Sequence, residues 1–157
     1  MKRQFLTTKI VEAEEMTRLE YCNSRGWAIP VDESADEKVF KVIYPDGYIS
    51  MCPKETFLKN AYEIKNNSIT SKLVDSFIVN AEVTTERIYG KLNTVLRYEL
   101  INGFTGIETS SCVDEKNYSI ELGEQILLER LYDKIWFGLG FALGMANKNE
   151  EVQENER

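Results

Sequence analysis

"NGFTGIETSSCVDEKNYSIELGEQ", residues 102–125, is where a two-residue periodicity gives way to a helical one. Before it, "TVLRYELI" (94–101) alternates as a strand does. Inside it, "FTGIETSSC" (104–112) reads as the returning strand, and Asn102-Gly103 between the two predicts a type I′ hairpin turn. After it, Leu127, Leu131 and Ile135 recur every four residues with Leu128 and Tyr132 beside them. That spacing predicts a long amphipathic helix starting at Ile120. Ser110, Ser111 and Cys112 leave two readings open: an active-site loop with three nucleophile candidates, or the joint between a hairpin and a helix. The chain contains no histidine. A serine or cysteine here would need Lys116 or a carboxylate as its base, so the joint is the better reading and no catalytic residue is assigned.

Working outward, "EVTTERIY" (82–89) forms the first strand of a three-stranded set, with a turn at Gly90-Lys91. Leu73, Val74, Phe77 and Ile78 sit at helical intervals and predict a helix over 71–80. "EIKNNSIT" (63–70) is a polar linker. Upstream, "FLTTKIVEA" (5–13) reads as a strand, and Thr17 caps a short helix that Gly26 ends. "VFKVIY" and "YISMC" form a hairpin around Pro45-Asp46-Gly47, and Pro53 opens a further helix in its first turn. The expected fold is α+β: two antiparallel sheet segments, with the long C-terminal helix packed on the second. The expected organisation is a strand-helix-hairpin-helix module at 1–65, a second module at 70–146 and an acidic flexible tail at 147–157.

Composition narrows the chemistry. The chain has 157 residues, 43% hydrophobic and 29% charged, with net charge −7. An acidic surface repels phosphate backbones, which disfavours duplex nucleic acid as a partner. Without histidine the commonest zinc ligand is missing, and Cys22, Cys52 and Cys112 are too scattered for a metal knot. They read as free thiols in a reducing compartment. No metal or cofactor is expected. No signal peptide is recognisable, and the most apolar run (135–146) is about half the ~20 residues a membrane span needs. The expectation is a soluble protein with no membrane partner.

Three groupings carry candidate chemistry. Asp114, Glu115, Glu121 and Glu124 surround the helix start. They complement its dipole, although a divalent-metal-dependent hydrolase could also be built on them. The carboxylates of residues 32–37 read as a solvated loop. Arg87 and Arg97 fall on neighbouring strands near aromatic residues. Arg87, Arg97, Tyr98 and Tyr118 form the expected pocket for a small anionic ligand, held by guanidinium and ring faces. Cross-strand ion pairs on a solvated face are the plainer explanation of the arginines. Trp136, Phe137 and Phe141, with Gly140 and Gly144 four apart, suggest a contact between subunits of a homo-oligomer.

A resemblance enters through Asn102-Gly103-Phe104, Ser110 to Asp114, Tyr118, Leu122-Gly123 and Lys134-Ile135-Trp136. In order and spacing these resemble a family of small phage proteins typified by members from coliphage N4 and Shigella phage Sf6, over roughly residues 95–141. Tyr118 stands where that pattern usually has phenylalanine, and "LLERLY" and "FGLGF" also depart from it. The first module, through Tyr44 to Tyr48, is similar to one common at the N-termini of phage accessory proteins. There Met51 and Cys52 replace a tryptophan and a serine. That module also precedes domains similar to anti-Thoeris sponge proteins, which sequester cyclic nucleotide signals. The resemblance implies a non-enzymatic phage accessory protein in the host cell cytoplasm, acting in counter-defence. It would bind and sequester a small anionic ligand such as an immune cyclic nucleotide. The alternative is an acidic protein inhibitor of a host defence enzyme or nucleic-acid-binding protein.

Overall fold

A computed structural model describes the backbone of residues 3–155 and the side chains of residues 3–148. The chain divides into two compact units, residues 1–63 with 142–157, and residues 64–141. Its architecture is α+β, with two antiparallel three-stranded sheets and a long C-terminal helix.

In the first unit β1 (Glu12–Thr17), β2 (Lys38–Ile43) and β3 (Ile49–Pro53) form a sheet in that order. The first strand lies later than the expected 5–13. Thr7, Thr8 and Lys9 interrupt the apolar alternation there, and Phe5 and Leu6 are exposed. Thr17 ends β1 and caps α1 (Arg18–Arg25), accepting from Glu20 N at 3.2 Å while the Glu20 carboxylate accepts from Thr17 N at 2.6 Å. Gly26, at φ 68°, closes α1 as expected. Tyr21 and Cys22 on α1 pack with Val39 of β2, so Cys22 serves as a small apolar side chain.

The acidic 32–37 loop is more than a solvated loop. Its Ala35 and Glu37 carbonyls accept from the first N–H groups of α1, at 3.0 and 2.8 Å, and Arg18 pairs with both Glu33 and Glu37. The Arg18 guanidinium is buried, so it needs those partners. Pro53 stands one place earlier than expected, as the cap of α2 (Lys54–Leu58), whose Phe57 meets Phe40 of β2 at 4.5 Å between ring centres.

The second unit begins with α3 (Ser71–Ser76), capped by Thr70. The helix expected to run to residue 80 stops at Ser76. β-branched Ile78 and Val79 already belong to β4 (Ile78–Ile88), where Ile78 pairs with Leu100. β5 (Lys91–Leu100) and β6 (Thr105–Ser111) complete a meander in the order β4-β5-β6.

Both of its turns differ from expectation. The first comprises Tyr89 and Gly90, not Gly90 and Lys91, and both have positive φ, 49° and 80°, as a type I′ turn demands. In the second only Gly103 is at positive φ, 80°. It is a three-residue loop in which Gly103 N donates to Leu100 O and Leu100 N to Phe104 O, each at 2.8 Å.

A 3-10 turn (Glu115–Asn117) leads into α4 (Ile120–Asn155). Leu127, Leu131 and Ile135 of α4 bury against Leu96 and Tyr98 of β5 and against Val74 and Phe77, as the four-residue spacing requires. The backbone of the expected 147–157 tail continues α4 to Asn155, and no glycine or proline interrupts it. Side chains from residue 149 on, and with them the expected flexibility, lie outside the described residues.

Candidate functional site

Alternation along β5 decides where the candidate residues go. Successive side chains of a strand point to opposite faces. Thr94, Leu96 and Tyr98 therefore face α4, and Asn93, Val95 and Arg97 face away from it. The Arg97 and Tyr98 side chains therefore point to opposite faces of the sheet, although both residues border a hollow on its outer face. Tyr98 is buried in the core, so close to β6 that a Cβ on Gly106 would overlap its ring.

Arg87 and Tyr118 meet at the hairpin end of the α4-facing side. Arg87 pairs with Glu115 and donates to the Gly90 carbonyl, and Glu115 raises the arginine pKa. The Tyr118 hydroxyl lies 2.7 Å from Thr85 Oγ1 and 3.2 Å from Thr94 Oγ1. Both side chains fasten the 3-10 turn to the β4–β5 hairpin. Four residues read as one ligand set thus occupy three places.

The rest of the 102–125 stretch is used in the same way. Asn102 Oδ1 accepts from Phe104 N at 3.0 Å, and Asp114 Oδ1 accepts from Lys116 N at 3.0 Å. Ser111 donates to Asn93 Oδ1, and Cys112 Sγ donates to Asp114 O at 2.9 Å. Ser119 Oγ accepts from Leu122 N at 3.1 Å and donates to Glu121 at 2.8 Å; the Glu121 backbone N–H first, and Ser119 second, hold that carboxyl below its usual range. Gly123 is buried against Thr94, where a Cβ would stand 2.6 Å from the threonine Cβ. Among the described residues no group of three or more Cys, Asp or Glu side chains is placed to hold a metal ion.

What remains is the face of β4-β5-β6 turned away from α4. An open hollow of about 710 Å³ crosses all three strands, lined among others by Asn80, Glu82, Arg97, Glu99, Thr105 and Ile107. Arg97 stands opposite Glu82 and Ile107 in the register, yet its guanidinium reaches Thr84 Oγ1, at 3.0 Å, and Glu86. Its stem therefore spans Val95, which is buried although it faces away from the core. The hydrogen bond to Arg97 holds the Glu86 carboxyl below its ordinary pKa, and Glu86 raises that of Arg97. Asn80 Nδ2 donates to Glu99 at 2.7 Å. Glu82, Glu86 and Glu99 outnumber Arg97 and Lys91 on this face, so it is acidic, and Ile107 is exposed along it. The period-two spacing of Glu82, Thr84 and Glu86 is the sequence signal that marks this face. It is visible only once the strand register is known.

These features define a small α+β module in which a three-stranded meander is backed by a long helix and the polar groups of the joint serve as caps and clasps. A family model for the phage protein (N4 Gp49/phage Sf6 gene 66) family matches residues 69–146, and over those residues the chain belongs to that family. No curated protein and no solved structure matches the chain. No helix among the described residues is long and apolar enough to cross a membrane.

Proposed function

We propose that this phage-family protein works by binding and not by catalysis, in the host cytoplasm, and that it binds through the outer face of β4-β5-β6. The observation that carries this reading is the charge of that face: three carboxylates, Glu82, Glu86 and Glu99, against Lys91 and an Arg97 already engaged by Thr84 and Glu86. Such a face attracts a basic partner, and the exposed Ile107 adds apolar contact. An acidic inhibitor of a host defence enzyme or nucleic-acid-binding protein fits this chemistry. The absence of histidine and the structural use of Ser111, Cys112 and Asp114 weigh against a reaction centre. The test is capture of host proteins by the purified chain, compared with its Glu82→Lys/Glu99→Lys variant. The reading expects a partner lost on charge reversal and at high salt but kept by Arg97→Ala.

A second reading is favoured by one feature, the presence of Arg97 in the wall of the hollow. A small anionic ligand, such as a cyclic nucleotide signal, could draw Arg97 away from Glu86 and be sequestered there. Thermal shift with cyclic nucleotides separates the two readings. Stabilisation that disappears in Arg97→Ala supports the small ligand, and its absence supports the basic partner.

A further inference from the structure

The face of α4 opposite its buried stripe is apolar where an amphipathic helix is ordinarily polar. Leu127, Leu131, Ile135 and Ala146 are buried along one side, while on the other Phe137 is 76% and Phe141 64% exposed. Their rings stack at 6.4 Å between centres. Around them lie three glycines, Gly138, Gly140 and Gly144, each with open space where a side chain would stand.

Phe137, Phe141, Gly144 and Lys148 follow one another at intervals of four, three and four, the spacing of a coiled-coil seam, and Gly138 and Met145 flank it. Two copies of this seam running in parallel would set Phe141 against Phe141 and Gly144 against Gly144, crowding one layer and leaving the next empty. Run antiparallel, bulk meets gap. Phe141 of one copy covers Gly144 of the other, Met145 fills the space above Gly138, and the Phe137 ring meets the Lys148 ammonium. A two-fold axis repeats each contact, so the surface complements itself.

We propose that α4 is a homodimer contact in which the 137–148 segments of two copies pair antiparallel in this register. The proposal stands apart from the sheet-face reading, because Glu82, Glu99 and Arg97 take no part in it. A contact this short makes a weak dimer, so the measurement is sedimentation equilibrium of the full chain up to about 100 µM. The weight-average mass is expected to rise from 18.1 kDa towards twice that value.

The register is read from Gly144→Leu. It adds apolar surface and helix propensity, yet it overfills the gap under Phe141 and should weaken association about tenfold. Adding Phe141→Ala to it should restore the dimer by returning the space. A mass of 18.1 kDa at every concentration overturns the proposal. So does a Gly144→Leu chain that associates more tightly, or a double variant no better than the single. Circular dichroism confirms that α4 is intact in each variant.

Discussion

Tyr89 is fully exposed and held at φ 49°, a left-handed conformation that suits asparagine and strains a bulky side chain. Its ring makes no contact that the fold uses, so Tyr89→Asn should raise stability by about 0.5–1 kcal/mol, read as a higher denaturation midpoint. Gly123 is constrained in the other sense. A methyl group there must push α4 away from Thr94, and Gly123→Ala should cost about 1–3 kcal/mol, while Glu124→Ala, one residue on and exposed, should be nearly neutral. Equal losses at the two positions would mean that helix entry tolerates displacement. At this scale adjacency misled the sequence reading. Arg97 and Tyr98 are neighbours in the chain and so are on opposite faces of the sheet. The value of Gly123 was likewise invisible, because a missing side chain signals nothing until the residue across the gap is known.

Caps and turns decide where the elements end. The Glu20 carboxylate accepts first from the Thr17 N–H and also from its hydroxyl, which lowers its pKa from 4.5. A carboxyl lowered on folding contributes stability above its unfolded value, and that contribution is lost as pH falls through the folded value. Thermal denaturation of wild type and Glu20→Gln should therefore differ most near neutral pH, and the gap should close below about pH 4.5. A gap that is constant with pH would deny the carboxylate this role.

Two hairpins, one in each unit, use the same loop. Tyr44-Pro45-Asp46-Gly47-Tyr48 and Leu100-Ile101-Asn102-Gly103-Phe104 each place glycine at positive φ, and each has an Asx oxygen accepting from the N–H two residues on, at 2.9 and 3.0 Å. Both hairpins were legible because Asp-Gly and Asn-Gly announce a turn. The turn type at residue 102 was not, since a two-residue and a three-residue loop share that dipeptide, and the strand pairing selects between them. The α3–β4 boundary was hidden for a related reason. Phe77 and Ile78 satisfy a helical spacing up to the residue where pairing with Leu100 takes over.

Across the whole molecule, the α+β class, the two sheets and the helix packed on the second were legible because hydrophobic period reports directly on buried faces. The family match over residues 69–146 includes the stretch that decided the fold, and there Asp114, Glu115, Tyr118 and Ser119 cap or clasp the 3-10 turn, the sheet and the start of the helix. The signature is architectural, and the proposed recognition surface is the acidic outer sheet face. Native mass spectrometry of the protein recovered from infected, defence-bearing host cells tests this most directly. The account predicts a complex with a host protein, absent when Glu82→Lys/Glu99→Lys is recovered in the same way. A bound small phosphate-bearing molecule that survives the charge reversal, with no protein partner, would contradict it.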